Sequence, residues 1–213
     1  MELLDERWTM LLLREFLLGT THFNELRRGL PRMSPTLLSH RLDQLQRAGL
    51  IEHVRDGADV RYVLTRAGEE LRPVVEQLSM WGIRWIGELG DADLDPKLLL
   101  WDMHRNLDLA TAPVTRTVIA LQFPDARPGQ RQWWLVIHNG VADVCDADPG
   151  YEIAIDVRCS LRSLTQYWRG DVEWMALFGS EDARMLGPSH LRNALPSWFT
   201  RPGYAAVPRL VGA

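Results

Sequence analysis

The stretch that most restricts what this chain can fold into runs from Ser34 to Gly49, SPTLLSHRLDQLQRAG. It carries the start and stop marks of one short helix. Ser34 can accept a hydrogen bond from an otherwise orphan backbone N–H. Pro35 sits where its missing N–H costs nothing. Gly49 falls just past the last apolar residue, where a left-handed cap is wanted. Leu38, Leu42 and Leu45 are spaced four and three apart and form one apolar stripe. Thr36, Ser39, His40, Asp43 and Arg47 lie off it. Such a helix fits either a plain amphipathic surface element or an element that enters a DNA major groove. Its neighbours decide between these.

Upstream, Leu3 to Leu18 carries Leu4, Trp8, Leu11, Leu12 and Phe16 at helical spacing, which predicts a helix ending at Gly19. Thr21 is expected to cap a second helix with Phe23, Leu26 and Leu30 inward and Arg27 and Arg28 outward. Only Pro31 to Met33 separates it from the Ser34 helix, so the pair reads as a helix-turn-helix. Downstream, Leu50–Arg55 and Val60–Thr65 flank the turn Asp56-Gly57-Ala58-Asp59 and predict a two-stranded wing. Thr65 then caps a long helix through Val74, Leu78, Trp81, Ile83, Trp85 and Leu89, with a kink or a lost hydrogen bond at Pro73. The predicted domain, residues 1–90, is a winged helix, mainly α with a two-stranded wing. Its long last helix is expected to pair with a second copy.

Charge supports this division. The chain carries a net −4, yet Gly19 to Arg66 holds eight Arg against five acids. A basic segment inside an acidic chain is a localised electrostatic footprint. The candidates for DNA contact are Ser34, Thr36, Ser39, His40 and Arg41 on the helix. Arg27, Arg28 and Arg32 are candidates for flanking phosphates, and Arg55 and Arg61 for the wing. Asp56 and Asp59 at the wing tip are poor phosphate neighbours.

The run ERWTMLLLREFLLGTTHFNELRRGLPRMSPTLLSHRLDQLQRAGLIE, followed by VRYVLTRAGEELRPVVEQLSMWG, resembles the HxlR-type winged-helix transcriptional regulators. The resemblance spans roughly Glu6 to Trp85. It implies a homodimer on two-fold-related double-stranded DNA, with Ser34–Gly49 as the recognition helix. That family usually has residues ahead of the first helix, often with a sensing cysteine. Here the chain starts inside that helix and no cysteine precedes Cys145, so thiol sensing by the usual route is not expected.

The acidic stretch Asp91–Pro96 marks the expected boundary with a second domain, residues 91–213. Lys97–Asn106 reads as a helix. Val114–Phe123, Trp133–His138, Val141–Cys145 and Tyr151–Val157 read as strands joined by turns, among them Asn139-Gly140. In the last strand Ile153, Ile155 and Val157 share a face. Ser160–Arg169, Val172–Phe178 and Ser189–Trp198 read as helices, with a short strand near Arg184–Leu186. The expected architecture is α+β, a mainly antiparallel sheet covered by helices. The region is rich in aromatics, as an apolar ligand pocket or a packed core would require.

The runs WWLVIHNGVADVCDADPGYEIAIDVRCSLRSLTQYWRGDVEW and ARMLGPSHLRNALPSWF are similar to sterol-carrier-protein-type domains. That likeness covers roughly Leu98 to Phe199 and implies an apolar tunnel for a hydrophobic small molecule. Trp134, Val136, Ile155, Leu164, Trp168 and Met175 are the candidate lining residues.

Other chemistry is not expected. Asp143, Asp146 and Asp148 alternate like the start of a calcium loop, but its glycine and distal Glu are missing, so they read as turn residues. His104, His138 and His190 have no Ser or Cys partner at a recognisable spacing. No metal, cofactor or catalytic site is expected. Cys145 and Cys159 lack metal spacing and read as buried free thiols, compatible with a reducing cytosol. No apolar run approaches the ~18 residues a membrane span needs, and no signal peptide is evident. The chain is expected to be cytoplasmic, with no membrane partner. The reading is a dimeric DNA-binding regulator controlled by a hydrophobic effector. The alternative is a lipid or small-molecule carrier whose first half only dimerises.

Overall fold

A computed structural model describes residues 2–86, 89–179 and 183–210. The chain divides into two compact units, Met1–Gly82 and Ile83–Ala213.

The first unit opens with α1 (Glu2–Asp5) and α2 (Thr9–Leu17). The single helix expected over Leu3–Leu18 is therefore two. The break falls at Glu6–Trp8, where Trp8 adopts a left-handed φ of 80°. Next come α3 (Phe23–Gly29) and α4 (Pro35–Arg47). The cap of α3 is His22 rather than Thr21: its backbone N–H donates to Glu25 Oε2 at 3.3 Å. Ser34 caps α4 as expected, its Oγ accepting from the Leu37 N–H at 3.2 Å. At the other end Leu50 N–H bonds the Leu45 carbonyl and Gly49 N–H the Gln46 carbonyl, with Gly49 at φ +70°. That pair of bonds is a Schellman cap.

The wing is the antiparallel pair β1 (Ile51–Asp56) and β2 (Asp59–Leu64). Thr65 ties wing to helix. Its hydroxyl donates to the Gly49 carbonyl at 2.6 Å and accepts from Gly68 N–H at 3.2 Å, capping α5 (Arg66–Glu69). The expected continuous helix stops there, and α6 (Arg72–Trp85) starts afresh. Pro73 is the reason: in the first turn its absent N–H and fixed φ are harmless, whereas mid-helix they would cost ~3 kcal/mol. Leu12, Leu13, Leu26, Leu38, Leu42, Leu45 and Ile51 fill the core between these elements.

In the second unit α7 (Pro96–Arg105) precedes a five-stranded sheet. Its strands are β3 (Thr117–Gln122), β4 (Gln132–His138), β5 (Val141–Cys145), β6 (Ile155–Arg158) and β7 (Arg184–Leu186), in the order β5-β4-β3-β6-β7. Three pairings are antiparallel, and β3–β6 is parallel. The strand expected over Tyr151–Val157 is shorter and later. Tyr151 and Ile153 precede it and are exposed, because the chain is still crossing from β5 to the far side of β3.

The helices α8 (Leu161–Trp168), α9 (Trp174–Leu177) and α10 (Ser189–Ala194) follow, the last running into a 3-10 turn over Leu195–Trp198. Ile119, Leu121, Leu135, Ile137 and Val157 on the sheet share one core with Leu100, Leu161, Leu164, Trp168 and Trp198. No helix among the described residues is long and apolar enough to cross a membrane.

Candidate nucleic-acid interface

The leucine stripe of α4 is buried: Leu38, Leu42 and Leu45 have at most 1% exposure. This anchors the helix and leaves Ser34, Thr36, Ser39 and His40 on the exposed side. Arg27, Arg28 and Arg32, on α3 and the turn after it, are exposed as well. A short helix with small polar side chains near its N-terminus, preceded by three arginines, suits a groove lined by phosphates.

Arg41 departs from this picture. The sequence puts it among the candidates for DNA contact, yet it is 8% exposed. Its guanidinium donates to the Arg7 carbonyl at 3.3 Å, to Gln44 Oε1 at 2.5 Å and to Glu6 Oε2 at 2.6 Å. One residue after His40 the helix has rotated by about 100° toward the core edge, where the α1–α2 break supplies a carboxylate and a carbonyl. Arg41 thus fastens that break to α4. Sequence periodicity put Arg41 off the leucine stripe, and only the fold shows that Glu6, 35 residues away, comes to meet it.

The wing is also internally paired. Asp59 accepts from His22 Nε2 at 2.9 Å on one oxygen and pairs with Arg61 Nε at 2.9 Å on the other. Arg61 is therefore engaged within the wing, whereas Arg55 is exposed. The acidic wing tip is partly neutralised by these two partners. A further tie is the Tyr62 N–H bond to the Thr21 carbonyl, 2.8 Å, which holds β2 against the start of α3.

The Asp59 hydrogen bond raises the His22 pKa above its usual 6.5. Partial burial opposes this, and the Glu25 carboxylate adds to it. A raised folded pKa means the folded state holds the proton more tightly. The stabilising contribution is therefore full below the unfolded value and fades as pH rises through the folded one. Two outcomes are expected. The His22 ring should titrate above 6.5 by NMR, and His22→Gln should remove a small loss of thermal stability between about pH 6 and 8. A His22 midpoint at or below its usual value would contradict the pairing.

The second unit separates its candidate residues. Leu164 and Trp168 line an apolar cavity between the helices and the sheet, with Leu100, Ile119, Leu135 and Tyr167. The cavity holds only about 20 Å³. Ile155 is fully buried in the core rather than at a cavity wall. Trp134 and Val136 alternate with Leu135 and so lie on the other face of the sheet. Met175 is 81% exposed on α9. Of six expected lining residues, the fold brings two together, because strand alternation sends Trp134 and Val136 away.

Sequence reading missed Asp102. Its Oδ2 accepts from Trp168 Nε1 at 2.7 Å and from the Tyr204 hydroxyl at 3.2 Å, and Arg105 pairs with it at 3.3 Å. Asp171, just past α8, is structural in the same way, accepting from Arg209 Nε at 2.6 Å. Cys159 is buried, and that burial pushes its thiol up to about 12, which keeps it inert near neutrality. Cys145, expected to be buried, is half-buried on β5.

Residues 3–89 match the family model described as HxlR-like helix-turn-helix. YvaP, an uncharacterized HTH-type transcriptional regulator of Bacillus subtilis (strain 168), is 31% identical over 88 residues, which are 40% of this chain and 82% of YvaP. An uncharacterized HTH-type transcriptional regulator of Mycobacterium tuberculosis is 39% identical over 89 residues, 40% of this chain. There the matched part spans 56% of the relative's length. Among solved structures, the reduced form of the transcriptional regulator YodB from B. subtilis matches at 27% identity and a TM-score of 0.36, covering 38% of this chain and 82% of that one. Through its first 89 residues, the chain belongs to the HxlR-like helix-turn-helix family.

Proposed function

We propose that the protein is a DNA-binding transcriptional regulator whose α4 reads double-stranded DNA as part of a homodimer. The observation that carries this is the split character of α4. Its leucines are locked in the core while Ser34, Thr36, Ser39 and His40 stay exposed beside the run Arg27, Arg28, Arg32. Membership of a helix-turn-helix family supports the same reading. Base edges are read by Thr36, Ser39 and His40, and phosphates are met by Arg27, Arg28, Arg32 and, at the wing, Arg55. Val74, Leu78, Trp81 and Trp85 recur along one side of α6 and are each at least half exposed. A stripe of that kind supports pairing with a second copy.

The second unit is read as a sterol-carrier-like effector domain. The wholly apolar lining of the cavity around Leu164 and Trp168 supports a hydrophobic effector. At about 20 Å³ the cavity is far below the roughly 300 Å³ of a small-ligand pocket. Occupancy therefore requires α8 or α9 to move, which would couple binding to conformation.

The test is fluorescence anisotropy with DNA from the protein's own promoter across a salt series. Specific binding should weaken steeply with salt, and Arg28→Ala should lower the slope by about one. Ser39→Ala with His40→Ala should cost about 1–3 kcal/mol of discrimination against an unrelated duplex. Absence of binding at low salt would overturn the assignment and leave a carrier as the reading.

A further inference from the structure

The second unit has another cavity, on the opposite side of its sheet from the helices. In register, Ala120 pairs with Trp134, and Gln122 pairs with Gln132 and Arg158. These residues are out of phase with Leu121, Leu135 and Val157, which face the helical layer. At their end of the sheet lies a cleft of about 430 Å³, lined by Gln122, Arg131, Trp134, Asp146, Arg158 and the start of the loop from β3 to β4. No helical residue lines it. Its size falls within the roughly 300–1,000 Å³ of small-ligand sites, unlike that of the apolar cavity.

We propose that this cleft binds a small aromatic monoanion, a carboxylate carried on a flat ring. Arg158 supplies the first argument. Its Nη1 donates to Gln122 Oε1 at 3.5 Å, and Gln122 Nε2 donates to Asp156 Oδ2 at 3.2 Å. Asp156 thus fixes which way the amide points, and the amide oxygen steadies the guanidinium. Arg158 is held by a neutral acceptor and makes no ion pair among the described residues. Arg131 is similar: its Nε donates to the Ala126 carbonyl at 2.9 Å, and its other nitrogens bond to no described residue. Two guanidinium groups so placed present forks that match a carboxylate.

Trp134 supplies the second argument. It is half-buried in the cleft wall. Its indole N–H has no hydrogen-bond partner among the described residues and is closed to water. An indole face favours a flat ring and a nearby cation. Asp146 sets the charge. Against two arginines it leaves the lining at a net single positive charge, which matches a monoanion and disfavours a dianion.

The test is calorimetric titration of the full chain with 2-naphthoate, the neutral 2-naphthamide and the dianionic 2-naphthyl phosphate. The carboxylate should bind about tenfold more tightly than either. Arg158→Gln and Trp134→Leu should each weaken it by about tenfold, whereas Trp134→Phe, which keeps a ring, should stay within about threefold. Leu164→Met, in the helix-side cavity, should leave it unchanged. Near-ultraviolet circular dichroism checks that each variant is folded. No heat at millimolar naphthoate, equal binding of the amide, indifference to Arg158→Gln in a folded variant, or weakening confined to Leu164→Met would each overturn the assignment. The readout is direct binding, so it stands or falls apart from the DNA reading.

Discussion

Arg41→Ala is expected to destabilise the winged-helix unit rather than blunt its contact with DNA. Two bonds from one buried guanidinium, to the Arg7 carbonyl and to Glu6, hold α4 to the Glu6–Trp8 break, and a third goes to Gln44 within α4. Hydrogen bonds to charged groups contribute about 1.5–3 kcal/mol each when both partners are buried. Glu6 is nearly half exposed and regains water when its partner goes, so the ion pair itself is discounted. The net loss is then about 2 kcal/mol, a fall of roughly 10 °C in melting temperature for a unit of this size.

Glu6→Gln should show a smaller loss in the same direction, and the double variant should be less than additive, as expected for residues in contact. The salt slope of DNA binding should not change in folded Arg41→Ala, because that side chain is turned to Glu6 and the Arg7 carbonyl. A melting temperature equal to that of the parent, with a slope lower by about one, would mean that Arg41 leaves Glu6 on binding and serves the groove after all.

Gly170→Ala carries the largest expected effect in the second unit. Gly170 closes α8 with φ +81°. Its N–H bonds the Tyr167 carbonyl, and Asp171 N–H bonds the Gln166 carbonyl, the same cap seen at Gly49. A side chain at that φ costs about 1–2 kcal/mol. The position is also crowded: an added Cβ would lie 2.0 Å from the Ala205 carbonyl oxygen, a backbone atom that cannot swing aside. The two effects together should cost about 4 kcal/mol and lower the unit's melting temperature by about 10–15 °C.

Gly49→Ala is the internal control. Its φ is similar, +70°, but nothing lies within 4 Å of an added Cβ, so only the conformational cost of about 1–2 kcal/mol should appear. Chemical denaturation of both variants, followed by tryptophan fluorescence, measures the difference. Equal losses at the two glycines would show that the segment at Ala205 yields easily and that the contact carries no energy.

Much of the first unit was legible because its signals are local. Ser34, Pro35, the leucine spacing and Gly49 each act within a few residues, so α4 and its caps follow from the chain itself. The same holds for Thr65 as a cap and for Asp56–Asp59 as the wing turn. Pro73 was legible as a break but not in kind: a kink and a fresh helix start look alike until the first-turn position is known. The α1–α2 break was not legible, since the apolar period runs through Trp8 without interruption.

In the second unit, composition and turns pointed to a sheet with helices, and the likeness to other sequences suggested a ligand domain. Which cavity exists, and on which face, was not available from the chain. Alternation says that Trp134 and Leu135 face opposite ways, but not which way the helices lie. That depends on β6 inserting beside β3, a pairing of residues more than thirty positions apart.

For this protein the sequence alone determined the capped helix α4, the wing, and the basic stretch inside an acidic chain, because capping, periodicity and net charge are short-range or summed properties. Tertiary structure decided the fate of individual polar side chains. It turned Arg41 to Glu6, set His22 and Arg61 on Asp59, and left Arg158 facing an amide instead of a carboxylate. Each outcome depends on which distant group arrives within about 3 Å, the range over which a hydrogen bond acts, and only the folded chain sets those distances.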